Sequence, residues 1–195
     1  MALDLVFDRT AADAERWNYL ATKMDSHGWG ALTSKEQAEW LTKLKGGYNH
    51  TDMNRVGTAV ALLGVRFANL ILYLVEYREM YGVANMPLFN VPYTSEDITI
   101  APKTNWAEGD PVWADQATQY LANLSVLREL LPPPANTPRV PADLVNLTLD
   151  EANDIERLLY MVEEEITRVT LMMEKWIRDT AATWHYSGDL YSKEV

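Results

Sequence analysis

The residues from Asp52 to Tyr81 constrain the fold more than any other stretch of this chain. Apolar side chains recur there in alternating steps of four and three residues, at Val56, Val60, Leu63, Phe67, Leu70, Leu74, Tyr77 and Tyr81. This spacing keeps one line of side chains on the same side of an α-helix, as bundled or supercoiled helices require. The sequence therefore predicts a long helix that packs against other helices.

The same spacing occurs twice more along the chain. One line comprises Trp113, Ala117, Tyr120, Leu124, Leu127 and Leu131, and the other Ile155, Leu159, Val162, Ile166, Val169, Met173 and Trp176. Three matching lines predict three long helices that pack on one another. At about 1.5 Å per residue, the longest two would extend roughly 40–50 Å. The alternative is that one line is left free for a second copy of the chain.

Capping signals place the helix starts. Thr10 is a predicted N-cap for a first helix that runs to about Met24, and Thr33 with Glu36 forms a capping box for a second helix. The remaining predicted caps are Thr51, Asp110 and the box from Thr148 to Glu151. In the second helix, Trp40, Leu41 and Leu44 are expected to face inward, and Gly46–Gly47 to end it. The fold class is therefore an all-α, elongated bundle of about five helices, three long and two short.

Two stretches interrupt the helical pattern within a single domain expected over residues 1–195. Prolines and the lack of a helical period predict an irregular insertion at about 83–110, with a small β-hairpin as an option around its extended segments. The proline-rich residues 132–141 predict a stiff connector between packed helices. Within the long helix, Gly57 and Gly64 predict that another backbone approaches closely, since glycine is otherwise unfavourable there.

Composition excludes several classes of function. The net charge of −11 argues against binding to nucleic acids or anionic membranes, because like charges repel phosphates. The chain has no cysteine and only 3 histidines, none at metal-ligand spacing, so no metal site or other cofactor is expected. No phosphate-binding loop, dinucleotide-binding turn or nucleophile elbow is present. The sequence therefore indicates a protein without enzymatic activity.

Residues 56–75 nearly match a membrane span in length, but Arg66 and Asn69 lie near the middle, where charge is costly in lipid. A helix buried in protein is the better interpretation. The N-terminus shows no basic start followed by an apolar run, so no secretory signal is expected.

Aromatic side chains outside the helix lines are candidates for partner contacts. The candidates are Tyr93, Ile98, Ile100, Trp106, Trp184, Tyr186 and Tyr191. By contrast, Trp17, Trp40, Trp113 and Trp176 fall on predicted apolar helix faces, where core packing is expected. The alternative for an aromatic residue at a helix end is that it covers the edge of the core.

Several stretches, read together, carry a resemblance to a known group. They are residues 8–16, 32–60, 103–106, 120–130, 147–159 and 186–194, in which LTSKEQAEWLTKLKGGYNHTDMNRVGTAV is the longest. The chain resembles a group of proteins encoded in phages and prophages of Gram-positive bacteria, associated with tail or other virion structural genes. The resemblance covers most of the chain and rests on caps, turns and helix lines. It implies a structural role and supplies no catalytic residue.

The leading hypothesis is a non-enzymatic phage structural or assembly protein that binds other phage structural proteins or copies of itself. Its expected location is the virion, and the host cytoplasm during assembly. One rival is a small acidic adaptor that binds a host protein during infection. Another is a carbohydrate-binding receptor module that uses aromatic platforms, with Trp106 or Trp184 as the residues to change. An enzyme is the least favoured class.

Overall fold

The computed structural model describes residues 3–41, 44–81, 99–132, 134–145 and 147–191, with the backbone alone at 81 and 180–191. The α-helices are α1 (Ala11–His27), α2 (Ser34–Leu41), α3 (His50–Tyr81), α4 (Ala114–Glu129) and α5 (Leu149–Tyr191). A single 3-10 turn, Trp29–Ala31, lies between α1 and α2. The described residues contain no β-strand, and the prediction of an all-helical bundle is confirmed.

The core lies where α3, α4 and α5 pack on one another. The predicted lines form it: Leu63 and Phe67 of α3, Leu124 of α4, and Ile155 and Leu159 of α5 are at most 1% exposed. Each large apolar side chain that is removed from water in this way contributes about 1.5–3 kcal/mol. The four-three spacing is therefore confirmed as the interior seam of the bundle.

Two residues that the sequence placed inside the bundle lie outside it. Trp113 is 63% exposed because α4 begins only at Ala114, so its indole precedes the helix. Leu41 is 73% exposed at the last residue of α2, which ends before the predicted Gly46–Gly47 stop. Those two glycines instead lie against α1, since an added Cβ at Gly46 would meet the backbone carbonyl of Asp13.

The predicted capping boxes are present in three helices. Thr148 N donates to Glu151 Oε2 at 2.9 Å, and Glu151 N donates to Thr148 Oγ1 at 3.2 Å. The same reciprocal pair caps α2, between Thr33 and Glu36, and α1, where the predicted Thr10 cap is completed by Asp13. Each box pairs two backbone N–H groups that would otherwise lack partners.

Two predicted caps are wrong. The α3 helix begins one residue earlier than Thr51 allows, because Asn49 Oδ1 accepts the Thr51 N–H at 2.8 Å and therefore acts as the cap. Asp110 does not cap α4, since its carboxylate accepts the Ala107 N–H at 2.9 Å within a turn. These local alternatives are available to any short polar side chain.

Both terminal helices are longer than the sequence predicts. The α1 helix continues to His27 instead of Met24, and α5 continues through the tail to Tyr191, past the expected end near Trp184. At about 1.5 Å per residue, α5 spans about 65 Å and α3 about 48 Å. The seam of α5 ends earlier, at the half-buried Trp176.

The irregular residues 99–113 pack along α3, as the glycines of that helix require. An added Cβ at Gly57 would lie 2.3 Å from the carbonyl oxygen of Lys103, so a second backbone does approach there. At Gly64 the neighbour is instead a side chain, since the added Cβ would lie 3.1 Å from Ile100 Cδ1. The optional hairpin involves residues 91–98, which lie outside the described residues.

The proline-rich connector folds against the bundle end. Arg128 Nε donates to the Pro138 carbonyl at 2.8 Å, and Thr137 N closes a turn onto the Pro134 carbonyl at 2.9 Å. Val140 packs against the core. The helix α4 thus stops at the prolines, as predicted.

One described helix, over His50–Met80, is long and apolar enough to cross a membrane by length and composition alone. Its residues from Val56 to Tyr77 supply the seam of the bundle. A helix at the centre of a bundle is apolar for that reason.

Replacing Gly57 with alanine is expected to destabilise the protein by about 1–3 kcal/mol, because the new methyl group would overlap a backbone carbonyl that cannot move freely. The matched control is Gly64→Ala, where the neighbour is the flexible end of Ile100. There the gain in helix propensity, about 1 kcal/mol, offsets the crowding. Urea unfolding of both variants measures the difference, and equal effects at the two positions would contradict the packing described.

Candidate functional site

A buried cluster of four charged side chains, the ion cluster, joins three parts of the chain. Arg9 of the N-terminal arm lies 2.8 Å from Asp52 of α3 and 2.6 Å from Glu156 of α5, measured from its Nη2. Arg55 of α3 also pairs with both acids, and its Nε donates to Glu156 Oε2 at 2.9 Å. Two positive and two negative charges therefore balance, which burial of charge requires.

Backbone groups complete the ion cluster and fix the arm to α5. Val6 N donates to Glu156 Oε2 at 2.6 Å. Arg9 N donates to Asn153 Oδ1 at 3.0 Å, and Asn153 Nδ2 returns a hydrogen bond of 3.0 Å to the Arg9 carbonyl. This reciprocal pair resembles one rung of a sheet ladder, made with an amide side chain. The arm is thus bound as tightly as a secondary-structure element.

Two tyrosines continue the polar interior beside the ion cluster. The hydroxyls of Tyr48 and Tyr120 hydrogen-bond to each other, and the Arg9 guanidinium lies 5.6 Å from the centroid of the Tyr48 ring. Burial raises the pKa of both phenols above the ordinary value, so both hydroxyls keep their protons. The pair contributes a hydrogen bond and aromatic packing.

The ion cluster fits a positioning role better than proton transfer. Glu156 is fully buried, and both of its oxygens accept hydrogen bonds from arginines, so it presents no oxygen to a substrate. Across the described residues, no group of three histidine, aspartate or glutamate side chains is placed to hold a metal ion. The arrangement holds the arm, α3 and α5 together.

A second feature is a cavity of about 560 Å³ between α1, α2 and the residues around 106–112, which we call the aromatic cavity. Its aromatic lining consists of Trp17, Trp40, Tyr48 and Trp106, its aliphatic lining of Leu41, Leu44, Met53 and Val112, and its polar lining includes Asn49, His50, Thr51, Glu108 and Asp110. The volume falls within the range of about 300–1,000 Å³ typical of small-molecule sites.

The α1–α2 wall of the aromatic cavity is held rigidly. Trp17 and Trp40 stack with ring centroids 6.1 Å apart and planes 25° from parallel. Lys23 of α1 pairs with Glu36 of α2 at 2.8 Å. Hydrogen bonds from Lys23 and from Thr33 lower the pKa of Glu36 to about 2. The carboxylate therefore stays ionised at neutral pH and keeps the two helices together.

A third feature is an exposed apolar line on α3, which we call the outer stripe. It consists of Ala61, Val65, Ala68, Leu72 and Val75, in the same four-three steps as the seam. Val65, Leu72 and Val75 are 59%, 56% and 41% exposed. A helix that is apolar on two sides buries one in its own core and has the other available for a further partner.

Two of the predicted partner contacts can be placed. Ile100 is half-buried and packs on the core beside Gly64. Trp106 is only 4% exposed, because Asn54 holds its backbone through two hydrogen bonds, at 2.7 Å to the N–H and 2.9 Å to the carbonyl. The indole is therefore part of the core and of the cavity wall, and not the exposed aromatic that the irregular sequence around it suggests.

The other predicted contacts lie where no side chain is described. Tyr93 and Ile98 fall within 82–98, outside the described residues. Trp184, Tyr186 and Tyr191 lie on the backbone of α5, whose side chains are described only to residue 179. These five stay predictions.

The ion cluster was missed by sequence reasoning, although the sequence holds a signal for it. Glu156 follows Ala152 by four residues and precedes Leu159 by three, so it interrupts the apolar side of α5 with a charge. A charged residue within an apolar line indicates a buried ion pair. Its partner Arg9 lies 147 positions away, and no local pattern connects the two.

Comparisons of the chain with protein-family models, curated protein sequences and solved structures find no match. The functional argument therefore rests on the residues of this chain.

Replacing Glu156 with glutamine is expected to destabilise the protein by about 3–5 kcal/mol, because two buried arginines would then share one carboxylate. Glu163→Gln is the matched control, since it lies seven residues further along α5 and pairs with Arg66 of α3 at a partly exposed position. That change is expected to cost less than about 1 kcal/mol. Denaturant unfolding at neutral pH compares the two.

A loss of similar size in both variants would show that burial gives the ion cluster no special weight. Loss of the near-ultraviolet circular dichroism signal only in Glu156→Gln would agree with the account, since Tyr48 packs beside Arg9.

Proposed function

We propose that this chain is a non-enzymatic structural or assembly protein of a phage particle, and that it acts by docking onto other proteins of that particle. The observation that carries the proposal is the outer stripe, an apolar helix face that no described residue of the bundle fully covers. The resemblance of most of the sequence to phage and prophage virion proteins supplies the biological setting. The proposed locations are the virion, and the host cytoplasm while particles assemble.

The spacing of the outer stripe defines the kind of partner it fits. Apolar residues at alternating four and three positions match an amphipathic helix that carries the same repeat, so that side chains of one helix insert between those of the other. Ala61 and Ala68 are small and alternate with larger residues, which lets a second helix approach closely. The proposed contact is therefore helix to helix, with exposed apolar area as the source of affinity.

The chain's charge favours solubility of the free protein before assembly. With a net charge of −11, copies of the chain repel one another at long range. A partner protein of the particle with a less acidic surface therefore fits the outer stripe better than a second acidic copy does. The homo-oligomer is the alternative arrangement of the same contact.

The double variant Val65→Asp with Leu72→Asp tests the docking contact directly. Because both side chains are more than half exposed, the fold is expected to persist, with unchanged helical circular dichroism. Two charges on the docking face are expected to reduce incorporation into purified phage particles at least tenfold, as measured by quantitative mass spectrometry. Thr58→Asp, at an exposed position of the same helix, is the control and is expected to be incorporated normally.

Absence of the unaltered chain from purified particles would overturn the structural role. Recovery of a host protein, and not a particle protein, by affinity purification from infected cells would support the adaptor role in its place. A dimer of the unaltered chain by solution mass measurement, lost in the double variant, would assign the outer stripe to the homo-oligomer.

A further inference from the structure

The aromatic cavity has a composition that the docking role of the outer stripe does not use. It lies between α1, α2 and the irregular residues 106–112, whereas the outer stripe lies on α3 between Ala61 and Val75. No residue belongs to both. A ligand in the cavity would therefore bind independently of a partner on α3.

The lining of the aromatic cavity combines flat apolar surfaces with hydrogen-bond acceptors at its edge. Trp17, Trp40 and Tyr48 supply the aromatic surfaces. Glu108 and Asp110 supply carboxylates, and among the described residues the only side-chain cation near Asp110 is Lys103, with Nζ 3.5 Å from its Oδ2. Carboxylate oxygens accept several hydrogen bonds each, so both acids can still accept hydrogen bonds from a ligand.

Trp106 adds a buried donor that has no acceptor. Its Nε1 is shielded from solvent and donates to no atom of the described residues, although the residue lines the cavity. The indole cannot turn away easily, because Asn54 holds its backbone on one side and Lys103 Nζ lies 3.8 Å from its ring centroid on the other. A buried N–H without an acceptor costs about 1–3 kcal/mol, which a ligand oxygen would recover.

These three features select among ligand classes. An organic cation would suit the aromatic rings and the carboxylates, but it could not accept a hydrogen bond from the Trp106 N–H. A purely apolar ligand would leave the carboxylates and the N–H without partners. The hydroxyls of a sugar both donate to carboxylates and accept from an N–H, while the apolar C–H face of a pyranose ring packs on an aromatic surface.

We propose that the aromatic cavity binds a saccharide of one or two pyranose rings. The sugar ring packs on the Trp17–Trp40 wall, its hydroxyls donate to Glu108 and Asp110, and one ring or hydroxyl oxygen accepts the Trp106 N–H. The stated volume of about 560 Å³ accommodates a disaccharide and excludes longer chains except through the open mouth.

The test begins with the full chain on an array of mono- and disaccharides, followed by calorimetric titration of the sugars that bind. Trp106→Phe keeps an aromatic ring but removes the N–H, and is expected to weaken binding about five- to tenfold. Trp40→Ala removes part of the stacking wall and is expected to weaken binding at least tenfold. Trp29→Ala, an exposed tryptophan outside the cavity, is the control and is expected to bind normally.

Indole N–H signals in the nitrogen-15 spectrum of the unaltered chain supply a readout that does not depend on stability. The proposal expects the Trp106 signal, assigned from its loss in Trp106→Phe, to shift on addition of the bound sugar. Tetramethylammonium chloride is the second probe. A Trp106 environment that responds to this cation and to no sugar would overturn the saccharide assignment in favour of a cation site.

The absence of any bound sugar on the array would also overturn the proposal, as would equal affinities of Trp106→Phe and Trp29→Ala. None of these outcomes bears on the docking role, because the particle incorporation experiment changes only residues of the outer stripe.

Discussion

The ion cluster of Arg9, Asp52, Arg55 and Glu156 is the interaction on which the arrangement of the other parts depends. Hydrophobic packing alone would allow α3 and α5 to slide or rotate against each other, since their seams repeat with the same period. A buried, charge-balanced pair of arginines and carboxylates can be satisfied in one register only, because any shift would leave a charge without its partner. The cluster therefore sets the register of α3 against α5, and it holds the N-terminal arm in place.

The position of the arm has consequences for the rest of the molecule. Thr10, next to Arg9, caps α1, so the ion cluster also sets where α1 begins. The α1 helix in turn supplies Trp17, one wall of the aromatic cavity. Tyr48 links the two regions directly, because its ring packs beside the Arg9 guanidinium and also lines the cavity. A charge cluster with no solvent access thus determines the shape of a cavity that is open to solvent.

Sequence reasoning recovered the parts of this structure that depend on local spacing. The seam from Val56 to Tyr77 and the boxes at Thr33 and Thr148 involve residues three or four positions apart, so the helical period is enough to identify them. The burial of Trp106 depends on Asn54, 52 positions earlier, and no local pattern reports such a contact. The outer stripe is present in the sequence, but periodicity does not say which of two apolar sides of α3 the core covers. The aromatic cavity was beyond prediction because its walls come from helices and a turn that meet only in the folded chain.

The most direct test of the central claim is amide hydrogen exchange at Val6 and Arg9, measured by nuclear magnetic resonance on the full chain. Both N–H groups donate to buried acceptors on α5, to Glu156 and Asn153 respectively. The account predicts that they exchange as slowly as the core amides of α5 around Leu159, since the arm can open only when the ion cluster breaks. Exchange of these two amides at the rate of an unstructured peptide, while α5 stays protected, would contradict it.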